Sequence, residues 1–244
     1  MDNIGGAEFV TLTLARELNA DVYTTVVDRD AVKKMGFDIN VNTIGYIPVN
    51  APYRQQLTAY RFKHLKLKKN YDFYIISGDW AASSSHHHKP NLWIIYSPPR
   101  ELWDLYEYTR KNSMAWWARW IFDIWVAYNR KLTKENLKHT TNIIAISKNV
   151  QKRVKKFFGV EIPIIYPPTE TKKYYYEKNG SFWLSVNRLI GHKRIELQLD
   201  AFRKMPDKKL IIVGSYEQSQ HFLQYVTKIK KVVPNNVEIK SWIE

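Results

Sequence analysis

The chain has 244 residues, of which 45% are hydrophobic, so it is long enough to bury a substantial core in one or two domains. It contains no cysteine, which excludes a disulfide scaffold, cysteine-ligated zinc, iron–sulfur clusters and thiol catalysis, and fits a reducing compartment. The start is polar and no stretch approaches about 18 uninterrupted apolar residues. We therefore expect neither a signal peptide nor a membrane-spanning helix, and predict a cytoplasmic location.

The formal net charge of +15 favours partners that carry phosphate or other anionic groups. The positive charge is concentrated between Arg130 and Lys156, where nine lysines and arginines face a single acidic residue, Glu135. Such a run is compatible with a solvated helix face, with contact to an anionic membrane surface, or with nucleic-acid binding. Charge alone leaves these three alternatives open.

The first predicted element is a helix that follows the paired glycines Gly5 and Gly6. Apolar residues recur at helical spacing from residue 9 to residue 18, and "ADVYTTVV" (20–27) then indicates a strand. Glycines at a helix start let the backbone approach a ligand closely, and the helix N-terminus offers free N–H groups to an anion. The pair is a weak signal alone, because many tight turns have the same composition.

Further along the chain, short apolar runs alternate with helical stretches. The runs that we predict as strands are "YDFYIIS" (71–77), "LWIIY" (92–96), "NIIAIS" (142–147), "IPIIY" (162–166), "FWLSV" (182–186) and "KLIIVG" (209–214). Near-continuous apolar strands that alternate with helices are typical of a parallel sheet covered on both faces. The predicted fold class is therefore α/β.

Two segments between the strands carry polar candidates for a site. His86 and His87 lie in "SSSHHHK" (83–89); adjacent histidines cannot all face one ion in regular structure, so we expect no metal and place one of them near a sugar hydroxyl instead. Ser97, Arg100 and Asp104 follow the next strand in "YSPPRELWD". Arg100 and Asp104 stand one helical turn apart, so they are also expected to pair with each other.

The longest helical region is predicted between Glu101 and His139. One stripe contains aromatic and aliphatic side chains at residues 117, 121, 124, 125 and 128, and residues 116 and 120 add two tryptophans beside it. A stripe of this kind is usually part of a core. Four tryptophans within ten residues, flanked by arginines and lysines, also suit a membrane interface, so for the helix over 110–131 both alternatives stay open.

A domain boundary is predicted in "IYPPTETKKYYYEKNGS" (165–181), and "SVNRLIGHKRIELQLDAF" (185–202) follows it. In this second segment a strand runs into a loop that carries Arg188 and Lys193, and then into a helix. Cations at the carboxyl end of a strand suit a diphosphate, because ligands bind at this edge of doubly wound sheets. The alternative is ordinary surface charge.

In their order and spacing these segments resemble the family 4 retaining glycosyltransferases of the GT-B fold, and most closely a mannosyltransferase-like branch. The resemblance rests on "NIGGAE" (3–8), "IIYSPPRELWD" (94–104), "NIIAISKNVQKRVKKFFG" with "IIYPP" (142–168), and "LSVNRLIGHKRIELQLDAF" with "LIIVG" (184–214). It implies an acceptor-side Rossmann-like domain over 1–168 and a partial donor-binding one over 169–244.

The resemblance also implies roles for individual residues. Gly5 and Gly6 would border the donor phosphates, Arg188 and Lys193 would bind the diphosphate in place of a metal, and no cofactor beyond the nucleotide-sugar would be needed. The region 86–104 would shape the acceptor side. The family usually has a histidine where we align Ser97, a strand before the paired glycines, and a further C-terminal half with a glutamate-rich signature; none of these is found in the sequence.

Three hypotheses follow. The first is transfer of mannose or a related hexose, with retention, from a nucleotide-sugar to a lipid-linked or glycan acceptor, by a protein peripheral to the inner face of the membrane and involved in polysaccharide synthesis. The second is a non-catalytic remnant, or one subunit of a split glycosyltransferase completed by another chain. The third, ranked last, is a basic nucleic-acid-binding protein.

Overall fold

The computed structural model describes residues 5–45, 47, 53–214 and 220–240. The chain divides into two compact units, Met1–Thr169 and Glu170–Glu244, which we call the N-terminal and the C-terminal unit. Asn3 and Ile4 of "NIGGAE" and the last four residues of "NNVEIKSWIE" lie outside the described residues. The acceptor and donor roles that we predict for the two parts of the chain stay predictions.

The N-terminal unit alternates helices and strands. Its elements are α1 (Gly6–Glu17), β1 (Val22–Thr24), α2 (Arg29–Lys34), β2 (Val41–Thr43), α3 (Tyr53–Lys63), β3 (Tyr74–Ser77), β4 (Asn91–Ile95), α4 (Tyr106–Asn112), α5 (Arg119–His139), β5 (Asn142–Ala145) and α6 (Lys148–Phe158). The strands form two sheets, β1–β2 and β3–β4–β5, and every pairing is parallel.

The C-terminal unit contains β6 (Trp183–Val186), α7 (Ile195–Arg203), β7 (Leu210–Val213), α8 (Gln220–Lys230) and β8 (Val237–Lys240). Its three strands pair in the order β6–β7–β8, again in parallel. Ile195 and Leu199 of α7 pack on Leu210 and Ile212 of β7, and all four are buried. Parallel strands that alternate with helices in both units confirm the predicted α/β fold class.

Local sequence explains the element boundaries. The Ser147 hydroxyl accepts a hydrogen bond from the Val150 N–H and begins α6, while Gly159, with a φ of 76° in the left-handed region, ends it. Val154 of α6 is fully buried in the core of β3–β4–β5, where Trp93 and Ile95 of β4 are also buried. The near-continuous burial of β4 is what a central parallel strand requires.

One predicted strand is wrong. The run 162–166 forms no strand, because only Ile164 bridges, to Ala145, while the prolines around it interrupt the backbone pairing. The helical region predicted between Glu101 and His139 is present as α4 and α5, with short 3₁₀ turns at Arg100–Leu102 and Trp116–Ala118. The sequence analysis also missed β2 and β8, whose alternating or charged sequences lack the apolar run we searched for.

The core interpretation of the tryptophan stripe is wrong as well. Trp117 is 61% exposed, Ile124 61% and Tyr128 58%, whereas the opposite side of α5 buries Phe122 and Val126. Of the predicted stripe only Trp125 is half-buried, where it packs against Phe122. Within the described residues no helix is both long and apolar enough to cross a bilayer.

Candidate functional site

The loop after β6 carries the predicted diphosphate-binding cations in the C-terminal unit. Leu189 and Ile190 are buried and fix the loop to the core, while Arg188 and Lys193 are exposed. A short 3₁₀ turn ends at Lys193, and Arg194 follows in the left-handed region with a φ of 53°. The structure therefore places Arg188 and Lys193 on one loop, residues 187–194, and adds Arg194, a third exposed cation that the sequence analysis missed.

Gly214 makes this edge of the sheet unusually tight. The Asn187 N–H donates to the Val213 carbonyl (3.0 Å), and a Cβ built on Gly214 would lie 1.8 Å from the Asn187 carbonyl oxygen. No other residue fits there without moving the backbone, so the carboxyl ends of β6 and β7 approach each other closely. The cation loop therefore begins from a constrained strand end.

A tyrosine side chain already bonds to the start of α7 beside the loop. The Tyr225 hydroxyl accepts a hydrogen bond from the Ile195 N–H at 3.3 Å and donates one to the Glu196 carboxylate at 2.6 Å. Burial and the Glu196 carboxylate raise the pKa of Tyr225 to about 12, so this hydroxyl stays protonated near neutral pH. An anion at this loop would therefore be held by cationic side chains more than by the helix terminus.

In the N-terminal unit, α1 begins at the paired glycines. Gly5 is extended (φ −149°) and a Cβ at its position would meet the Glu8 carboxylate, while a Cβ at Gly6 would have no neighbour within 4 Å among the described residues. Within the part of the chain that the structure describes, no side-chain hydrogen bond caps this helix start. The role of Gly5 and Gly6 beside the donor phosphates stays a prediction.

Ser97 and Asp104 are brought together by a residue that the sequence analysis counted only as part of a basic run. Arg153 of α6 donates to the Ser97 hydroxyl at 2.6 Å and to the Asp104 carboxylate at 2.7 Å. Asp104 also accepts two hydrogen bonds from Arg100, at 2.9 and 3.1 Å, which confirms the predicted pairing of these two residues. Burial alone would raise the pKa of Asp104, but the two arginines lower it overall.

The histidines lie in a different environment. The His86 ring packs on His139, with ring centres 3.9 Å apart, and its Nε2 lies 3.2 Å from the Asn136 amide oxygen. Burial and the neighbouring His139 lower the pKa of His86. His87 is exposed, and the described contacts do not join either histidine to Ser97. Across the described residues, no three His, Cys, Asp or Glu side chains are grouped to hold a metal.

Asp79 is the candidate that sequence reasoning missed. It follows Gly78, whose φ of 98° turns the chain at the end of β3. Burial, together with the charge of Glu101, raises the pKa of Asp79 to about 8, although Arg153 opposes the shift. The available signal was its position, because a carboxylate two residues after the end of a parallel strand lies at the carboxyl edge of the sheet, where ligands bind.

Asp79 lines a cavity of about 740 Å³, together with Glu8 of α1 and Tyr96, which follows β4. The Tyr96 hydroxyl donates to the Ala7 carbonyl at 3.3 Å, which ties the first turn of α1 to the carboxyl end of β4. At the end of β4 Tyr96 therefore lines the cavity, while the hydroxyl of its neighbour Ser97 bonds to Arg153.

Comparison with solved structures identifies proteins of similar fold. The structure resembles a glycosyltransferase from Rickettsia africae ESF-5 over 98% of this chain, with a TM-score of 0.53 and 15% sequence identity. This chain covers 64% of the Rickettsia protein, less than two thirds of its length. No protein-family model and no curated protein matches the sequence.

Two further solved structures are less similar to this chain, and no conclusion about the chain is drawn from them. One is a variant of S. aureus TarM in complex with Fondaparinux, alpha-GlcNAc-glycerol and UDP (TM-score 0.48, 15% identity, 78% of this chain, 37% of that chain). The other is the pneumococcal O-GlcNAc transferase GtfA in complex with UDP and GlcNAc (TM-score 0.33, 13% identity, 67% and 36%). What the first match shows is the fold: this chain has a parallel-stranded α/β, Rossmann-like architecture similar to that of the Rickettsia protein.

Proposed function

We propose that the chain transfers a sugar, mannose or a related hexose, from a nucleotide-sugar to a lipid-linked or glycan acceptor with retention of configuration. The observation that carries the proposal is the loop of Arg188, Lys193 and Arg194 at the constrained carboxyl end of β6. Its exposed cations suit the diphosphate of a nucleotide-sugar, and the glycosyltransferase fold supports this assignment.

In the proposed reaction the bond between the anomeric carbon and the donor diphosphate oxygen breaks, the acceptor hydroxyl oxygen forms the new glycosidic bond, and the hydroxyl proton passes to the leaving diphosphate. Negative charge accumulates on the leaving diphosphate, where Arg188 and Lys193 would stabilise it without a bound metal. The acceptor side would be built from the N-terminal unit, with Ser97, Arg100 and Asp104 held by the hydrogen bonds and ion pairs of Arg153 and Arg100, and with His86 and His87 earlier in the chain.

The proposal is tested by calorimetric titration with a panel of nucleoside diphosphates and their sugar conjugates. We expect one nucleotide to bind, and Arg188→Ala or Lys193→Ala to weaken it at least about tenfold, since a hydrogen bond to a charged group contributes about 1.5–3 kcal/mol. Lys204→Ala, which removes an exposed cation just after α7, is the matched control and should bind normally. Equal affinity in all variants would refute the assignment of the loop.

We also propose that α4 and α5 rest on an anionic membrane surface, where a lipid-linked acceptor would be found. The support is a group of exposed apolar side chains on α4, the turn before α5 and α5, which we call the aromatic surface: Tyr108, Trp116, Trp117, Trp120, Ile121, Ile124 and Tyr128 are 49–80% exposed. The same face of α5 continues into the exposed lysines Lys131, Lys134 and Lys138. Tryptophan rings prefer the headgroup region, and each lysine near anionic lipid contributes about 1 kcal/mol.

Vesicle sedimentation tests this surface. We expect binding to vesicles of phosphatidylcholine with phosphatidylglycerol, weaker binding to phosphatidylcholine alone, and loss of binding in a Trp117→Ser, Trp120→Ser double variant. Trp183→Ser, which removes a tryptophan of similar exposure from the C-terminal unit, is the control. Unchanged binding of the double variant would contradict the membrane proposal.

A second candidate function is favoured by the edge of β6. This strand pairs only with β7 in the described part of the chain, and its Trp183, Leu184 and Val186 are 64%, 60% and 72% exposed. Apolar edge strands are normally covered, so the chain would be a subunit that becomes active when a complementing chain pairs with β6. Sugar transfer by the chain on its own, at a rate unaffected by any added protein, would exclude this alternative.

A further inference from the structure

Arg194 has a backbone conformation that arginine rarely adopts. Its φ of 53° and ψ of 49° lie in the left-handed region, where the Cβ of an L-residue crowds the following carbonyl oxygen. Among the described residues only Asn19 also has a positive φ without being glycine, and asparagine tolerates this region. Glycine would adopt the conformation at no steric cost and is also accepted ahead of a helix. The sequence therefore has arginine at a position where the backbone favours glycine.

The side chain of Arg194 does not stabilise the fold through any described contact. It is exposed, and in the part of the chain that the structure describes its guanidinium takes part in no hydrogen bond, ion pair or ring contact. The Arg194 N–H donates to the Gly191 carbonyl at 3.0 Å, and the Arg194 carbonyl accepts from the Leu197 N–H at 3.1 Å. Glycine would make both of these backbone bonds equally well. A residue in a strained conformation that the packing does not require is a candidate for function.

The start of α7 explains why a cationic side chain is needed at this point. Free N–H groups at a helix start normally bind a phosphate, but the Ile195 N–H already donates to the Tyr225 hydroxyl. The Glu196 carboxylate accepts from the same hydroxyl at 2.6 Å and places negative charge at this helix start. An anion at the loop must therefore be bound by side chains, and Arg194 provides a positive charge directly ahead of Ile195.

The cations of the loop outnumber the charges of the proposed donor. Both phosphates of a nucleotide-sugar are esterified, so the diphosphate has two negative charges, which Arg188 and Lys193 match. When the bond to the anomeric carbon breaks, the leaving oxygen keeps the bonding electrons. The acceptor proton that passes to this oxygen is released to solvent at pH 8, because the second pKa of a terminal phosphate is about 6. The leaving nucleoside diphosphate then has three negative charges, one for each cation of the loop.

We infer that Arg194 binds the terminal phosphate of the leaving nucleoside diphosphate and contributes little to the binding of the intact nucleotide-sugar. The inference rests on the proposed function and adds a residue that distinguishes the product from the donor. Hydrogen bonds from the Ile190 N–H to the Arg188 carbonyl and from the Lys193 N–H to the Ile190 carbonyl, both 2.9 Å, keep the three cations on one compact loop. A planar guanidinium binds two phosphate oxygens at once, and a group that binds more tightly after bond cleavage favours the cleavage.

Calorimetric titration at pH 8 with GDP, GDP-mannose, UDP and UDP-glucose tests the inference on the full chain. The wild-type protein identifies the pair of ligands that binds. We expect Arg194→Gly and Arg194→Asn to weaken the binding of the nucleoside diphosphate at least about tenfold, and that of its sugar conjugate less than about threefold. Arg194→Asn controls for the flexibility that glycine adds. The thermal midpoint of Arg194→Gly should rise by about 2 °C or more, because the backbone strain is relieved.

The possible outcomes separate this inference from the proposed function. Equal weakening of both ligands in the two variants, or unchanged affinities, would overturn the inference and leave the assignment of Arg188 and Lys193 intact. A thermal midpoint that falls in both variants would show that the arginine side chain stabilises the fold, which would overturn the inference as well. If the wild-type protein binds none of the four ligands, the proposed function fails and the inference fails with it.

Discussion

The raised pKa of Asp79 predicts an unusual dependence of stability on pH. An unfolded aspartate has a pKa near 3.9, whereas burial and Glu101 raise the pKa of Asp79 to about 8 in the folded protein. Between these two values the folded state holds a proton that the unfolded state has lost. The free energy of unfolding therefore contains a contribution that is fully present at low pH and is lost as the pH rises to about 8.

Asp79→Asn removes this titration while keeping a polar side chain of similar size. The contribution changes by at most about 1.4 kcal/mol per pH unit, so between pH 5 and pH 7 the wild-type protein should lose up to about 3 kcal/mol relative to the variant. Urea unfolding at pH 5, 6, 7 and 8 measures the difference. Asp72→Asn removes the same charge from an exposed position on the segment leading into β3 and serves as the control.

The slope of the free energy of unfolding against pH decides the outcome. If the unfolding free energies of wild type and Asp79→Asn run parallel from pH 5 to pH 8, the carboxyl group of Asp79 is ionised throughout, and the reasoning from its burial is refuted. If the difference grows with pH only for Asp79→Asn, a protonated carboxylic acid lines the cavity of the N-terminal unit near neutral pH. Such a group donates a hydrogen bond where an ionised aspartate only accepts.

Two further predictions concern the neighbourhoods of the candidate sites. Gly214→Ala should destabilise the C-terminal unit by about 1–3 kcal/mol, because the new Cβ would lie 1.8 Å from the Asn187 carbonyl oxygen. Gly180→Ala is the control, since its Cβ would make only ordinary contacts from 3.8 Å. Equal thermal midpoints of unfolding for the two variants would refute this prediction. Arg153→Ala should lower the free energy of unfolding by about 2–4 kcal/mol, because it leaves the Asp104 carboxylate and the Ser97 hydroxyl without their shared donor. Lys152→Ala, which removes an exposed lysine of the same helix, is the control. An equal loss of stability in the two variants would show that the network contributes little.

The fold class was predictable because its signal is local. Parallel strands buried on both faces are apolar without alternation, and this pattern identified β3 to β7. β8, with the sequence "VEIK", has no such run, because only Val237 is buried while Glu238 and Lys240 pair with each other on the surface. Its pairing to β7 depends on packing against the rest of the unit, which no short window of sequence contains.

The candidate site was predictable only in part, for two different reasons. The i,i+4 spacing of Arg100 and Asp104 is a local property, and their ion pair is present. Arg153 joins this pair from a helix 49 residues further on, and nothing in its own surroundings marks it among the lysines of α6. The tryptophan stripe illustrates the second reason: helical periodicity identifies faces, but which face of α5 is buried depends on the elements packed against it.

The cation loop of the C-terminal unit follows a strand that has only one paired neighbour in the described residues. Arg188 comes directly after β6, which pairs with β7 alone and whose Trp183, Leu184 and Val186 are exposed. A strand that is paired on one side opens more readily than a central one, so the loop is attached to the less stable part of its unit. Covering β6 should therefore lower the entropy that the loop loses when it orders around an anion. On this argument a complementing strand on β6 should tighten the binding of phosphate groups at Arg188 and Lys193. Calorimetry with inorganic pyrophosphate tests the coupling: an affinity that increases when β6 is covered supports it, and identical affinities would show that the loop is ordered without a covering strand.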